Sequence, residues 1–230
     1  MASGGKYHFD AYKGHIPYIQ LLSGEQLGLL KENSSIVEYR NKDIIFRQNT
    51  RTSHIMILIN GLVKVYKESR NERIIILKLA KPGSYLGILS VLGDQIHQYS
   101  ASALEDAAIC FIDLNIFRNI ILENGKFALN LLNTVSRDGL FIFNRLMAQS
   151  HKQLPGRIAD VLIYLADEIY GSQKFVFPLT RRELAELAGT TKESFIRTLT
   201  EFRNDRIITL DGSNVEIISR NIVDTLSELG

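Results

Sequence analysis

From Ile36 to Asp113 the chain runs in short apolar blocks separated by turns: SIVEY, DIIF, HIMILI, LVKVYKE, RIIILKLA and AAICFID. That texture, rich in Ile and Val, predicts short strands. Many strands at such close spacing suggest a small antiparallel barrel or jelly roll. Between HIMILI and LVKVYKE stands Asn60-Gly61, a pair suited to a two-residue hairpin whose central residues both need positive φ. Upstream, IPYIQLLSGEQLGLLKEN predicts a helix, with Ser23 as its cap and Gln26 three residues on to return the hydrogen bond.

Beyond Asp113 the apolar period lengthens to about 3.6. Asn115 is placed to cap IFRNIILEN, and Gly125 separates that helix from a longer one, KFALNLLNTVSRDGLFIFNRLMAQSHKQ. Within the longer helix Ala128, Leu132, Val135, Gly139, Ile142 and Leu146 recur at coiled-coil spacing and predict a dimer seam. Glycine costs about 1 kcal/mol against alanine in a helix, so Gly139 at a seam points to close approach of two backbones. Leu140, Phe143 and Met147 would then face the barrel; a helix packed only on its own barrel is the competing reading. Leu154-Pro155-Gly156 ends the long helix and starts GRIADVLIYLADEIYG, since proline fits a first helical turn. The expected class is α+β: an N-terminal antiparallel β-roll (jelly roll) with flanking helices over residues 1–125, a dimerisation helix over 126–153 and a winged helix-turn-helix over 154–230.

The last assignment rests on KFVFPLTRRELAELAGTTKESFIRTLTEFRNDRIITLDGSNVEIIS. Thr180 can cap a helix whose third residue is Glu183, Gly189 turns the chain, and Thr191 caps a second helix. In that second helix Phe195, Leu199 and Phe202 face inward while Lys192, Glu193, Ile196 and Arg197 face out. The hairpin tipped by Asp211-Gly212 supplies the wing. The outward face suits a major groove: Arg197 can bind guanine O6 and N7, Glu193 can accept from a cytosine amino group, Ile196 can meet a thymine methyl, and Lys192 lies on the same base-reading face. Thr180, Arg181 and Arg182, with Thr191 and Ser194 at the second helix start, are placed for phosphate. The plainer alternative makes Glu193 and Arg197 an exposed helix ion pair worth a few tenths of a kcal/mol. Charge does not decide between them, because residues 180–206 hold six basic and five acidic side chains.

Whole-chain charge is equally neutral on the point, at +2 over 230 residues, so a polyanion must be recognised locally. The single cysteine, Cys110, excludes an intramolecular disulfide, a cysteine-ligated zinc site and a four-cysteine iron–sulfur cluster within one chain. No apolar run approaches a membrane span, and MASGGKYHFDAYK lacks a signal-peptide core, so a cytoplasmic protein without a membrane partner is expected.

The order of β-roll, long helix and LTRRELAELAGTTKESFIRTL resembles the Crp/Fnr family of bacterial transcription regulators over nearly the whole chain. The residues that carry it are Thr180, Arg181, Gly189, Thr191, Glu193 and Arg197, and GRIADVL adds to it. The resemblance implies a homodimer on palindromic double-stranded DNA, with Glu193 and Arg197 reading each half-site and RNA polymerase as a further partner. Ile196 occupies a position that varies between subfamilies. KPGSYLGILSVLG resembles the loop that cradles a cyclic-nucleotide phosphate in some members. Those members carry a Gly-Glu pair and, about ten residues on, an Arg-Ser pair; here the pairs read Gly87-Ile88 and Tyr99-Ser100. On the long helix the positions that offer hydroxyls to the base read Ile142 and Phe143. Without an arginine, a buried phosphate costs several kcal/mol more, and Ile88 cannot accept from a ribose hydroxyl. The nearest cations, Lys78 and Lys81, are expected to face water. A sensor that does not bind cyclic nucleotide follows.

Three other sensor readings stay open. A haem-dependent gas or redox sensor would draw axial ligands from His8, His15, His54, His97, His151 or Cys110. A pocket filled by Ile88, Leu89, Val91 and Leu92 would need no effector, and an apolar cavity would suit a hydrophobic small molecule. A module whose winged helix contacts protein rather than DNA is the alternative at the level of function. No cofactor and no metal are expected. An enzyme is not expected either: Cys110 with His97, or Ser100 with His97 and Asp94, lacks a glycine-flanked nucleophile at an informative spacing.

Overall fold

The computed structural model describes residues 9–68 and 74–230. They divide into two compact units at Leu140–Phe141, with residues 74–77 grouping with the second.

In the first unit a short helix α1 (Phe9–Tyr12) and two 3₁₀ turns lead to α2 (Gly24–Glu32). Helix α2 is shorter than the apolar pattern suggests, because Ser23 stops it: its hydroxyl accepts from Gln26 N and the Gln26 side chain accepts from Ser23 N. Strands β1 (Ser34–Tyr39), β2 (Ile44–Phe46), β3 (His54–Asn60), β4 (Val63–Glu68), β5 (Ile74–Ala80), β6 (Tyr85–Leu86), β7 (Ser100–Ala103) and β8 (Ala107–Asp113) follow, with α3 (Ile88–Leu92) between β6 and β7. Two sheets form, in the orders β1-β8-β3-β6 and β2-β7-β4-β5.

This topology corrects the expectation at Asn60-Gly61. Strands β3 and β4 belong to different sheets, Asn60 pairs with Ala108, and only Gly61 has positive φ, at 91°. The glycine lets the chain cross between sheets against Asp106 and Ala107, where a Cβ would come within 2.6 Å of the Asp106 carbonyl oxygen. Strand β3 is buried on both faces, from Ile55 through Ile59. Ile55, Ile57 and Ile59 share one core cluster with Leu30, Phe117 and Phe127, so helices contribute to the cover of that face.

Helix α4 (Leu114–Glu123) is capped by Asp113, which accepts from Asn115 N and Ile116 N, and not by Asn115 as the pattern suggests. Helix α5 (Gly125–His151) includes Gly125, and Asn124 Oδ1 accepts from Phe127 N at its start. Phe127 and Leu131 take the core face of α5. Of the six positions read as a seam, Ala128, Val135 and Ile142 are half-buried within the single chain and Leu132, Gly139 and Leu146 are exposed. Leu140, Phe143 and Met147 do not face a barrel; they are 61%, 59% and 44% exposed. With Leu129 and Leu132 they make an uncovered apolar stripe. The difference is rotational: apolar residues occupy more than half of this helix's circumference, and periodicity alone cannot say which arc meets the core.

The second unit contains α6 (Leu154–Ile163), with Pro155 in its first turn, and a π-helical continuation over Tyr164–Tyr170 ended by left-handed Gly171. Strand β9 (Lys174–Val176), α7 (Arg181–Ala188), α8 (Lys192–Asn204), β10 (Ile208–Asp211), β11 (Asn214–Ile217) and α9 (Arg220–Leu229) complete it. Strand β11 lies between β10 and β9. Helix α9, absent from the pattern-based reading, is held by Arg220, which donates to both Asp167 oxygens and to Asp224 at 2.7 Å each. No helix among the described residues is long and apolar enough to cross a membrane.

Candidate nucleic-acid interface

Helices α7 and α8 are set by their caps. Thr180 Oγ1 accepts from Glu183 N, while the Glu183 carboxylate accepts from Thr180 N at 2.9 Å and from its hydroxyl at 2.8 Å. Gly189 closes α7 with φ +66° and presents its N–H to Glu186 O. Thr191 then accepts from Ser194 N to open α8. Phe195, Thr198, Leu199 and Phe202 are buried along one side of α8. The opposite side exposes Lys192, Glu193, Ile196 and Arg197, with Ser194 half-buried. Glu193 and Arg197 have no hydrogen-bond or ion-pair partner among the described residues, so the exposed ion pair of the plainer alternative is not made. Their polar atoms are left for a ligand.

The residues placed for phosphate differ in their freedom. Thr180 and Thr191 spend their hydroxyls on capping. Arg182 is open, with its side chain 72% exposed and Nε on Glu186 Oε1 at 3.2 Å. Arg181 is committed inside the protein: it stacks over Phe177 at 4.7 Å and donates to Gly212 O in the wing turn. That turn is Gly212-Ser213, flanked by the pair Asp211 and Asn214.

Behind the turn between α7 and α8 lie groups that sequence spacing did not bring forward. Arg145 donates to the carbonyls of Ile76, Leu77 and Leu187, and Arg157 donates to Gly189 O at 2.7 Å. Gln149 packs on Gly189, where a Cβ would meet its side chain at 2.8 Å. These residues share no spacing with α7, and their acceptors are backbone carbonyls, which leave no mark in a sequence.

In the first unit, Gly87 caps α3 in the left-handed region, with φ +76°. Ile88 is 2% exposed and belongs to the cluster that holds Ile57, Tyr85 and Phe117. Tyr99 lies by Ser90 and Leu89 at the start of α3; burial, then the Asp138 carboxylate, pushes its pKa up to about 12, while those two neighbours hold it down. Ser100 Oγ accepts from Gln48 N at 3.0 Å. Phe143, placed at the same pocket by counting, is exposed and belongs to the second unit. Lys81 is exposed, but Lys78 does not face water: its side chain is 14% exposed and paired with Asp138. That cation is already neutralised by the Asp138 carboxylate.

Among the haem-ligand candidates, His8 lies outside the described residues, while His15, His54 and His151 are exposed. His97 is 2% exposed, stacks on Phe46 at 3.9 Å and has its pKa lowered by burial. Its Nδ1 is buried without a partner among the described residues, and so serves neither Ser100 nor Cys110. Burial pushes the Cys110 thiol up to about 11. No group of three metal-ligating side chains occurs among the described residues.

The chain matches a model of the cyclic nucleotide-binding domain over residues 36–124 and one of the Crp-like helix-turn-helix domain over residues 156–222. It is 24% identical over 200 residues to the HTH-type transcriptional regulator Cmr of Mycobacterium tuberculosis, spanning 87% of this chain and 79% of that protein. It is 25% identical over 186 residues to the CRP-like cAMP-activated global transcriptional regulator of the same organism, spanning 79% and 83%. The structure of FixK2 from Bradyrhizobium japonicum superposes with a TM-score of 0.77 at 17% identity, over 84% of this chain and 96% of that one.

Proposed function

The chain belongs to the Crp/Fnr family of DNA-binding transcription regulators, a family of regulators and not of enzymes, and from that premise we propose that it acts as a homodimer on palindromic DNA without a cyclic-nucleotide effector. The observation that carries this reading is the exposed face of α8, where Lys192, Glu193, Ile196 and Arg197 stand together and Glu193 and Arg197 are unpaired. Arg197 reads guanine, Glu193 reads cytosine and Ile196 sets the preference at the neighbouring base pair. Arg182 holds phosphate and fixes register. The exposed stripe on α5 takes a second copy of the chain, which places two α8 helices in successive major grooves about 34 Å apart. RNA polymerase is the partner at the promoter, and the work is done in the cytoplasm.

The sensor is self-occupied. The half-buried Tyr99 stands beside Leu89 and Ser90 at the start of α3. Ile88 stands in the core, and a glutamate there would place an unpaired charge among apolar side chains, costing about 3–5 kcal/mol.

Footprinting and gel shifts with genomic fragments test the DNA reading. A two-fold symmetric site is expected, with Arg197→Ala losing about 1–3 kcal/mol at each half-site and relaxing the preference at one base pair. Equal binding of all duplexes, unchanged by Arg197→Ala, would end it. Equilibrium dialysis against cyclic AMP is expected to give no retention. An absorption spectrum of the purified protein tests the haem reading: a Soret band that vanished in His97→Ala would replace the self-occupied sensor.

A further inference from the structure

Within the second unit, a cavity of about 470 Å³ opens between the last turns of α5, helix α6 and the end of α7. Its wall is mainly apolar, built from Phe141, Met147, Val161, Tyr164 and Leu187. Three cations and one acid line it as well: Arg145, Lys152, Arg157 and Asp160. Lys152 is neutralised by Asp160, with Nζ at 2.7 Å and 2.9 Å from the two carboxylate oxygens. Arg145 meets three backbone carbonyls, which satisfy its donors without cancelling its charge. Arg157 gives one N–H to Gly189 O, and its Nε is buried with no partner among the described residues. The residue as a whole is half-buried, so what the cavity meets is a charged guanidinium with one enclosed donor, Nε, that lacks an acceptor, and a buried donor left unpaired costs free energy that a ligand acceptor recovers.

We propose that this cavity is a binding site for a small amphipathic anion, an apolar body carrying one carboxylate-type head, with the head at Arg157. The volume falls in the range of ordinary small-molecule sites, and the composition, an apolar wall with a few convergent polar groups, is theirs too. Charge complementarity selects an anion, because three cations line the cavity against the one carboxylate of Asp160, which pairs directly with Lys152 and acts on Arg145 only at a distance; arginine further favours a planar carboxylate. The site goes beyond the DNA reading above, although its consequence rests on it. Arg157 holds the Gly189 carbonyl at the turn into α8, so an anion that draws on the same guanidinium alters the support of the base-reading helix.

Isothermal titration calorimetry of the full chain with decanoate, and with decan-1-ol as the uncharged control, tests the site without DNA. One saturable decanoate per chain is expected, with Arg157→Met and the cavity-narrowing Ala148→Leu each weakening it at least tenfold. Thermal melting of both variants shows whether they remain folded. No saturable heat with decanoate, equal affinity for decan-1-ol, or binding unchanged in Ala148→Leu would each overturn the proposal. Fluorescence anisotropy with an operator duplex then reads the consequence: saturating decanoate is expected to change DNA affinity at least threefold in the parent protein and not in Arg157→Met. An unchanged affinity in the parent protein would overturn the link to α8. Failure of the DNA reading itself would appear as absent specific binding before any decanoate is added.

Discussion

At Arg181 two demands compete for one side chain. Its place at the start of α7 suits a phosphate contact, yet its guanidinium lies over Phe177 and donates to Gly212 O, tying that helix to the wing. A phosphate ligand and a wing-positioning residue differ in a measurable way. Loss of a phosphate contact lowers the slope of log K against log salt by about 1, whereas loss of a wing tether weakens binding and leaves the slope alone. Arg181→Ala is therefore expected to reduce operator affinity with an unchanged salt slope, as read by titration at several salt concentrations. His97 yields a second prediction. Burial holds its folded pKa below the ordinary 6.5, so the unfolded chain binds the extra proton first and stability falls as pH drops below about 6.5. His97→Phe removes that term, and its melting temperature should decline less than the parent's between pH 7 and 5. The capping residues Thr180, Glu183, Ser23 and Gln26 were legible in the sequence because a cap acts over three residues. The acceptor of Arg181 was not, since it lies 31 positions away on a backbone carbonyl.

Elements were legible where local chemistry decides them and obscure where a neighbour does. The strand-forming blocks of the first unit are strands because β-branched runs favour a pleated, buried surface. Strand β7, with the sequence SASA, has no such signature; it is fully buried between β2 and β4, where small side chains fit. Asn60-Gly61 carries the chemistry of a hairpin, but pairing of β3 with β8 overrides it. Helix α5 shows the same limit, since Phe127 and Leu131 claim the core and turn Leu129, Leu132, Leu140, Phe143 and Met147 to the surface. Large apolar side chains gain about 2 kcal/mol each on full burial, so this stripe favours association with a second α5. Phe143→Glu and Leu140→Glu are each expected to weaken dimerisation more than tenfold in sedimentation equilibrium. Gly139→Ala separates the two registers, because a Cβ there meets nothing within 4 Å in one chain. It should raise protomer stability by about 1 kcal/mol through helix propensity. If the seam instead runs through Gly139, as the heptad spacing suggests, the same change weakens the dimer.

Over the whole molecule the charge is divided against simple expectation. Residues 154–230, which include α8, carry nine Lys and Arg against twelve Asp and Glu, a formal charge of −3; residues 1–153 carry +5. The net field of residues 154–230 does not draw in a phosphate backbone, so affinity must come from local contacts. Exposed cations on the interface are few: Lys192, and Arg182 with its Nε on Glu186, are what each chain offers phosphate once Arg197 is assigned to a base and Arg181 to the wing. A dimer would then neutralise about four phosphates, and at roughly −0.9 per phosphate the log–log salt slope for operator binding should lie near −4. Regulators with six to ten phosphate contacts give steeper slopes and bind non-operator DNA more readily. This chain is accordingly expected to show weak non-specific binding at physiological salt and a large ratio of operator to non-operator affinity. Nitrocellulose filter binding across a salt series measures both. A slope steeper than about −7, or strong binding to random duplex, would mean that phosphate is held by surfaces outside α7 and α8, such as the more basic residues 1–153.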